Sequence, residues 1–488
     1  MRLPKFKTPF SGNPTKRRDQ SLLSLLFTRS VRQKLLFTLG IVLVYRILAS
    51  IPLPGINMTV YQQQFGNASA SEANYLLTIF TGGQLETPSI VGLGIGVYIT
   101  ASIVMQLLGS VVPYFKELRK EGNRGRQLID QYTRYLTVPL SFAYGLGYLF
   151  LILQGGALTS TGQTNPISNL IPRNADGSVP ATKVIFMALV LTAGSLLLMW
   201  LAELITENGI GNGSSVMIMV GILTGIPAFI SQDFNSLDIA GALSHVLAGD
   251  FSYLGDPGMK AIYLLVIGAV LLIAGIVWMN ESVRKLTIQY ARRDRTGGAL
   301  DSSLPIKLDQ SGVMPIIFAS SLLSVPQLLI PVVQGVLSPD NSIYQLAESL
   351  RSSFLFDRHG TTYLLVYFVM IIIMSMVYAT IALNPSDVAE DLQKSGAFIP
   401  GIRPGKSTEG HITKVLLRLT FVGSLFLGLI AIIPLIAGNT LSAITDGYQF
   451  SVFSAVGGTS ILIVVGVILD TVRQIKSLQS TQSYERYI

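Results

Sequence analysis

The chain has 488 residues, of which 50% are hydrophobic and 13% charged; its mean hydropathy is +0.53 and its net charge +8. Globular chains carry roughly a quarter charged residues, so this composition excludes an ordinary soluble domain and describes an integral membrane protein. With no cysteine, the chain has no disulfide frame, thiolate nucleophile or cysteine-ligated metal.

Residues 1–33 form a polar tail with Arg2, Lys5, Lys7, Lys16, Arg17, Arg18, Arg29 and Arg32. No small-residue cleavage site follows the first apolar run, so this start does not read as a cleavable signal peptide. Within the tail, 22–27 (LLSLLF) reads as an amphipathic surface segment or as a weak tail contact. The first span is predicted at 34–51, ending at Pro52, Pro54 and Gly55. Further spans follow at 88–110, 132–154, 182–205, 214–231, 260–280, 313–333, 361–383, 414–437 and 449–472. Each is close to the roughly 20 residues a helix needs to cross. The expected fold class is an all-α polytopic membrane protein with ten transmembrane helices. They divide into an N-terminal half (34–232) and a C-terminal half (260–473), joined by an external loop (233–259) and followed by a tail (474–488). An odd number per half reverses the second half, a parity that permits an inverted repeat with a pathway between the halves.

The second span holds the most informative stretch, 92–108 (GLGIGVYITASIVMQLL). Gly92, Ile95, Ile99, Ser102 and Gln106 fall on one helical stripe at spacings of three and four. A helix facing only lipid would not carry Gly, Ser and Gln there. The stripe faces protein, water or something passing through; packing through small residues also accounts for it. Before it, 74–83 (NYLLTIFTGG) is apolar but too short to cross. It reads as a half-helix dipping into the membrane, or as an external amphipathic helix.

Loop charges set the orientation. Loop 52–87 has no Lys or Arg, whereas loop 111–131 has Lys116, Arg119, Lys120, Arg124 and Arg126. Loop 232–259 carries Asp233, Asp238, Asp250 and Asp256. Loop 281–312 carries Arg284, Lys285, Arg292, Arg293, Arg295 and Lys307, and loop 384–413 adds Lys394, Arg403 and Lys406. By the positive-inside rule both termini are cytoplasmic.

Reaction chemistry is sparse. His245, His359 and His411 sit in loops or at a span edge and never pair at ligand spacing. Arg46 is the clearest charge within a span, about a turn from its outer end, where it can snorkel. An ion-coupled transporter normally carries ionisable residues near the midplane, at roughly 2.5–3.5 kcal/mol each. An intramembrane hydrolase needs a nucleophile with a base in reach. Neither set is visible, so the chain does not read as an enzyme and no cofactor is expected.

Three motifs stand out: 121–135 (EGNRGRQLIDQYTRY), 307–326 (KLDQSGVMPIIFASSLLSVP) and 384–405 (NPSDVAEDLQKSGAFIPGIRPG). With 209–227 (GIGNGSSVMIMVGILTGIP), 418–434 and 457–470, they closely resemble the SecY family, the channel subunits of the protein-conducting translocon. The likeness runs in order from about residue 31 to the C-terminus, and KSGAFIPGIRPG is its most specific part.

That resemblance implies two inverted five-helix halves around an hourglass pore. It implies an apolar pore ring at Ile95, Ile99, Ile218, Ile317 and Ile463, with a sixth position at Ser214, a departure from the family's branched aliphatics. It implies a plug at 74–84 with Leu76, Leu77, Ile79 and Phe80, and a lateral gate where Thr100 and Gln106 face Ser321 and Val325. Arg292, Arg293, Arg403 and Lys406 would dock the ribosome or the motor ATPase SecA. The implied function is passage of unfolded preproteins across the membrane, with lateral release of hydrophobic segments into lipid. Implied partners are SecE-like and SecG-like subunits, SecA, the ribosome and preprotein substrates. The implied location is the bacterial plasma membrane or the plastid thylakoid. The alternatives are an inverted-repeat secondary transporter of a small solute and an insertase without a through-pore.

Overall fold

A computed structural model describes residues 29–59, 61, 88–153, 180–236, 257–293, 299–308, 310, 312–336, 341–352, 361–444 and 458–485. The segment 74–84, with Leu76, Leu77, Ile79 and Phe80, lies outside them. In chain order the helices are α1 (Arg29–Ser50), α2 (Gly96–Val111), α3 (Pro113–Lys120), α4 (Asn123–Leu153), α5 (Ala181–Asn208), α6 (Gly213–Ser236) and α7 (Pro257–Glu281). Strands β1 (Val283–Arg293) and β2 (Ala299–Lys307) follow, then α8 (Met314–Val336), α9 (Ser342–Ser352), α10 (Thr361–Ala382) and α11 (Pro385–Lys394). The two-residue strand β3 (Ala397–Phe398), α12 (Lys406–Ile444) and α13 (Gly458–Glu485) complete the series. A helix stands at each of the ten predicted span positions, and α3, α9 and α11 are shorter additions. Four described stretches, Val31–Ser50, Ala181–Asn208, Thr362–Lys394 and Lys406–Pro434, are long and apolar enough to cross by length and composition alone.

The second span starts later than the sequence suggested. Helix begins only at Gly96, and the chain from Ser89 to Gly94 turns instead. Two bonds close the turns, from Gly92 N–H to Ser89 O at 2.9 Å and from Gly94 N–H to Val91 O at 2.8 Å. Gly94 sits at φ 60°, where a side chain would be strained. Backbone bonds from Leu53 to Pro88 (2.8 Å) and from Ile90 to Ile51 (3.1 Å) hold the turn against the chain leaving α1. At the other end of α2 the chain bends by 99° into α3. Pro113 lacks the donor needed to continue and forces Val112 into an extended conformation, ψ 123°. Nη2 of Arg119 donates to the Gln106 carbonyl at 3.2 Å and closes the corner.

Loop 281–312, read from sequence only as a basic loop, contains an antiparallel hairpin: β1 pairs with β2 from Val283↔Lys307 to Gln289↔Asp301. Leu286, Ile288, Leu304 and Ile306 alternate along it, and the inward-facing Leu286 and Ile306 pack with Ala379 of α10 and Leu416 of α12. Loop 384–413 is ordered as well. Asn384 caps α11, its Oδ1 accepting from Ser386 N–H at 3.2 Å, and Gly396 at φ 66° ends the helix. β3 then pairs with β1 through Gln289↔Phe398 and Tyr290↔Ala397, so one sheet in the order β2-β1-β3 joins the two basic loops.

The main apolar cluster draws on α1, α2, α5, α6, α7, α8, α10, α12 and α13. A second one lies between α2, α4 and α5. Opposite them, α1 exposes Leu36, Leu39, Leu43 and Ile47, and α7 exposes Ile267, Val270 and Leu271, as lipid-facing helices do. Arg46 is exposed and donates from Nη1 to Thr224 Oγ1 of α6 at 3.0 Å, an inter-helix tether.

Close approach at Gly194 holds the turn before α2: a Cβ there would lie 2.0 Å from the Ile90 carbonyl oxygen. Gly194→Ala is expected to lower the thermal midpoint of the purified protein by about 5 °C or more. Gly268→Ala, with nothing within 4 Å of the new Cβ, is the control and should leave the midpoint unchanged or slightly raised. Equal midpoints for both variants would remove the packing argument.

Candidate functional site

Ile95 is the cap residue of α2, and Ile99 follows one turn on, its N–H bonded to the Ile95 carbonyl at 3.2 Å. Ile218 comes from α6, Ile317 from α8 and Ile463 from α13. These five isoleucines, predicted as a ring, are 2–7% exposed and belong to one apolar cluster. Ser214 is not in it. It is half-buried in the first turn of α6, where its N–H and hydroxyl both donate to Asn212 Oδ1, at 3.1 and 2.6 Å. Asn212 thus caps α6 and fixes where Ile218, one turn further on, points.

Against these isoleucines lies a cavity of about 330 Å³. Ile99, Ile218 and Ile317 form part of its wall, and Ser102 and Gln106 of the α2 stripe face into it. The polar stripe therefore lines space rather than lipid. The rest of the wall is mixed: Ala202, Met314 and Phe318 are apolar, Tyr98, Ser214, Ser215 and Tyr378 are polar, and Asp130, Arg134, Glu203 and Glu207 are its charged groups. Arg134 of α4 holds Glu203 of α5 through two parallel bonds, Nε to Oε1 at 3.0 Å and Nη2 to Oε2 at 2.8 Å. Asp130, in the basic loop region before the third span, has its carboxyl pushed above the usual range by burial, while Arg134 and Arg126 pull it down.

None of these four charged residues was singled out in the sequence. The available signal was spacing: Asp130/Arg134 and Glu203/Glu207 are each four apart, at the same-side ends of consecutive antiparallel spans.

The predicted gate residues lie where α8 packs against α2 and α4. Val325 packs against the second apolar cluster, that of α2, α4 and α5, and is the one C-terminal-half residue among its described members. Thr100 and Gln106 bond within their own helix, to the Gly96 carbonyl (3.0 Å) and Ser102 Oγ (3.1 Å). Among the described residues, no hydrogen bond joins any of the four gate positions to another. Ser321 is fully buried, and its Oγ has no described partner; the same holds for the Tyr148 hydroxyl on α4.

Of the four residues expected to dock a partner, Arg292 and Arg293 lie on the sheet, while Arg403 and Lys406 follow it. Arg403 is exposed, and its carbonyl accepts from the buried Thr408 hydroxyl at 2.9 Å, which fixes the turn that presents it. Lys406 is exposed at the start of α12. Arg292 and Arg293 end β1, with Arg293 opposite Ala299.

The chain matches the SecY family over residues 89–472. It is 37% identical over 482 residues to the protein translocase subunit SecY of Mycobacterium bovis, covering 96% of this chain and 99% of that one. It is 38% identical to the SecY of Streptomyces griseus over 94% of this chain and 98% of the relative. In fold it is similar to a solved protein conducting channel, with TM-score 0.57, 19% identity and 92% of each chain covered. It is also similar to Sec61 of a canine ribosome-channel complex, with TM-score 0.53, 18% identity and 92% of each chain covered.

A buried hydroxyl without a partner carries its desolvation cost uncompensated. Ser321→Ala and Tyr148→Phe are therefore each expected to stabilise the packed seam by about 1 kcal/mol, read as a raised thermal midpoint. A lowered midpoint in both would mean that these hydroxyls are bonded.

Proposed function

This chain belongs to the SecY family and is the channel subunit of a protein translocase rather than an enzyme; from that premise we propose how its own residues conduct a polypeptide. Ile95, Ile99, Ile218, Ile317 and Ile463 form the collar at the waist of the pore. A narrow apolar constriction dewets and blocks ions, yet branched aliphatic side chains can part around a chain without gripping it. Ser214, the sixth ring position, is polar where the other five are isoleucines, and it lines the same cavity as Ile99, Ile218 and Ile317. The observation that carries this reading is that isoleucines from both halves meet in one buried cluster against a polar cavity. A solute transporter is not supported, since the family is that of a translocase.

The segment 74–84, with Leu76, Leu77, Ile79 and Phe80, acts as the plug on the external side. The seam between α8 and α2/α4, with Thr100, Gln106, Ser321 and Val325 near it, is the lateral exit for hydrophobic segments. Polar contacts across such seams are worth only about 0.6–2 kcal/mol each; here Val325 adds apolar packing against the cluster of α2, α4 and α5. The two halves, 34–232 and 260–473, move as the jaws. The protein is a multi-pass membrane protein with bacterial relatives; we place it in the plasma membrane with both termini cytoplasmic, on the loop-charge pattern. Arg292, Arg293, Arg403 and Lys406 dock SecA or the ribosome, and SecE-like and SecG-like subunits complete the complex. Ribosome docking has its support in similar folds: the canine Sec61 structure, and an idle yeast Ssh1 complex bound to the 80S ribosome (TM-score 0.53).

The chain has no cysteine, so single cysteines report cleanly. With a precursor stalled in transit, Ile95→Cys, Ile99→Cys, Ile218→Cys, Ile317→Cys and Ile463→Cys should all crosslink to it. Leu43→Cys, on the exposed face of α1, should not. Crosslinking at Leu43→Cys alone would end the collar reading.

Docking is tested separately. Arg403→Glu places like charge before an acidic partner surface or rRNA phosphates. It should cut SecA-driven export at least about tenfold while leaving the thermal midpoint of the exposed site within about 1 °C. Export at the normal rate would remove Arg403 from docking.

A further inference from the structure

The loop between α5 and α6, residues 209–212, is short and is held from two sides. On one side Ile210 N–H donates to Thr38 Oγ1 of α1 at 3.1 Å. On the other, Gly211 N–H donates to Gln474 Oε1 of α13. Both contacts need glycine. A Cβ on Gly209 would lie 2.5 Å from Thr38 Oγ1. Gly211 sits at φ 89°, and a Cβ there would lie 3.3 Å from Thr471 Oγ1 of α13. Ile210 is buried in a small apolar cluster with Val31 of α1 and Ile475 of α13. The loop and α1 belong to the N-terminal half, and α13 is the last helix of the C-terminal half. The bond from Gly211 to Gln474 therefore joins the two halves.

That bond sits where it can act on the collar. Asn212, directly after Gly211, caps α6, and Ile218 lies on that helix. Ile463 lies on α13, about three turns before Gln474. Arg473, next to Gln474, fixes this end of α13 within its own half. Its Nη2 donates to the Asn280 carbonyl at the end of α7 at 2.8 Å, and its Nη1 lies 3.3 Å from Asp470 Oδ1. With that end of α13 anchored, parting α6 from α13 must break the Gln474 bond.

Resting on the channel reading, we infer that Gln474 is a positioning residue for the closed collar: its side-chain oxygen pins the start of α6 to α13, keeps Ile218 and Ile463 in register, and lets go when the halves part around a chain. The geometry suits a latch rather than a permanent joint. Gln474 is exposed, and a neutral hydrogen bond at such a place shifts a closed-to-open balance only several-fold.

The test uses the complete translocase in proteoliposomes and reads resting ion leak and export of a precursor with a defective signal. Gln474→Leu removes the acceptor and is expected to raise both about fivefold. Gln474→Glu keeps an acceptor and should hold both at the native level. Thr38→Val cuts the bond on the other side of the same loop, within one half. It should lower the thermal midpoint and leave both readouts unchanged. No rise in Gln474→Leu, no rescue by Gln474→Glu, or an equal rise in Thr38→Val overturns the proposal.

A second arm does not depend on how the Gln474 variants fold. In Ile210→Cys/Ile475→Cys, a double variant of a chain that has no other cysteine, a short cleavable thiol crosslinker joins the loop to α13. Export should fall at least about tenfold in the joined channel and return on cleavage. Full export by the joined channel overturns the proposal. Failure of the channel reading looks different: the native translocase then yields no protected product.

Discussion

On the channel reading proposed above, everything depends on a contact that must hold water out without being permanent. Five isoleucines from four helices and one helix cap meet in a single cluster, with a polar cavity against them. Burying each side chain is worth roughly 1.5–3 kcal/mol at most. Dispersion and desolvation are not directional, so the same side chains can close on one another or on a passing peptide with little difference in free energy. A hydrogen-bonded closure would be tighter, but it would leave unpaired polar groups each time a chain displaced it. Much of the nearby geometry positions these few side chains. The glycine turns before α2 place Ile95 at its first turn, and the Asn212 cap sets the start of α6.

The seam follows the same logic with a weaker contact. α8 lies against α2 and α4; there Thr100 and Gln106 bond within α2, and the Ser321 and Tyr148 hydroxyls have no described partner. Val325 packs against the apolar cluster of α2, α4 and α5, so side-chain packing contributes to that edge. In lipid, acyl chains can take over such packing at little cost. An apolar segment entering sideways exchanges one apolar contact for another, which allows the seam to respond to hydrophobicity without a shaped pocket.

The spans were legible because they are long and apolar, whereas the five ring positions came from the family resemblance and not from any period in the chain. Residues 31–50, 181–208 and 406–434 announce themselves by length, and the α2 stripe shows that one face avoids lipid. What stayed hidden depends on contacts between distant segments. Leu286, Ile288, Leu304 and Ile306 alternate as strand residues do, and Gly297-Gly298 stands between them, but a basic loop in a membrane protein directs attention to its charges. β3 is two residues long and exists only because β1 is there to pair with it. The second span was read eight residues too long at its start because its first part is as apolar as a helix; Gly92, Gly94 and Pro88 make it turn. Arg134 and Glu203 look like isolated charges at span ends, and only the packing of α4 on α5 makes them a pair.

Joining the two basic loops into one sheet has a mechanical consequence. Arg403 rides on a turn whose carbonyl is held by Thr408 at the start of α12, directly after β3. β3 is bonded to β1, β1 to β2, and the end of β2 is tied back to the α7 exit by Leu308 N–H to Ser282 O at 2.9 Å. A few residues later α8 begins, with Ile317 in its first turn and Ser321 and Val325 further along. Of the second half, α8 is the helix that contributes to both the collar and the seam. A load applied at Arg403 therefore enters a short hydrogen-bonded sheet rather than a slack loop, and the sheet ends at that helix. Strands joined by paired backbone bonds shift together, whereas an unpaired connector would absorb the displacement in its own dihedrals. On the channel reading proposed above, the sheet is the element through which an event at Arg403 would reach the helix that carries Ile317, Ser321 and Val325.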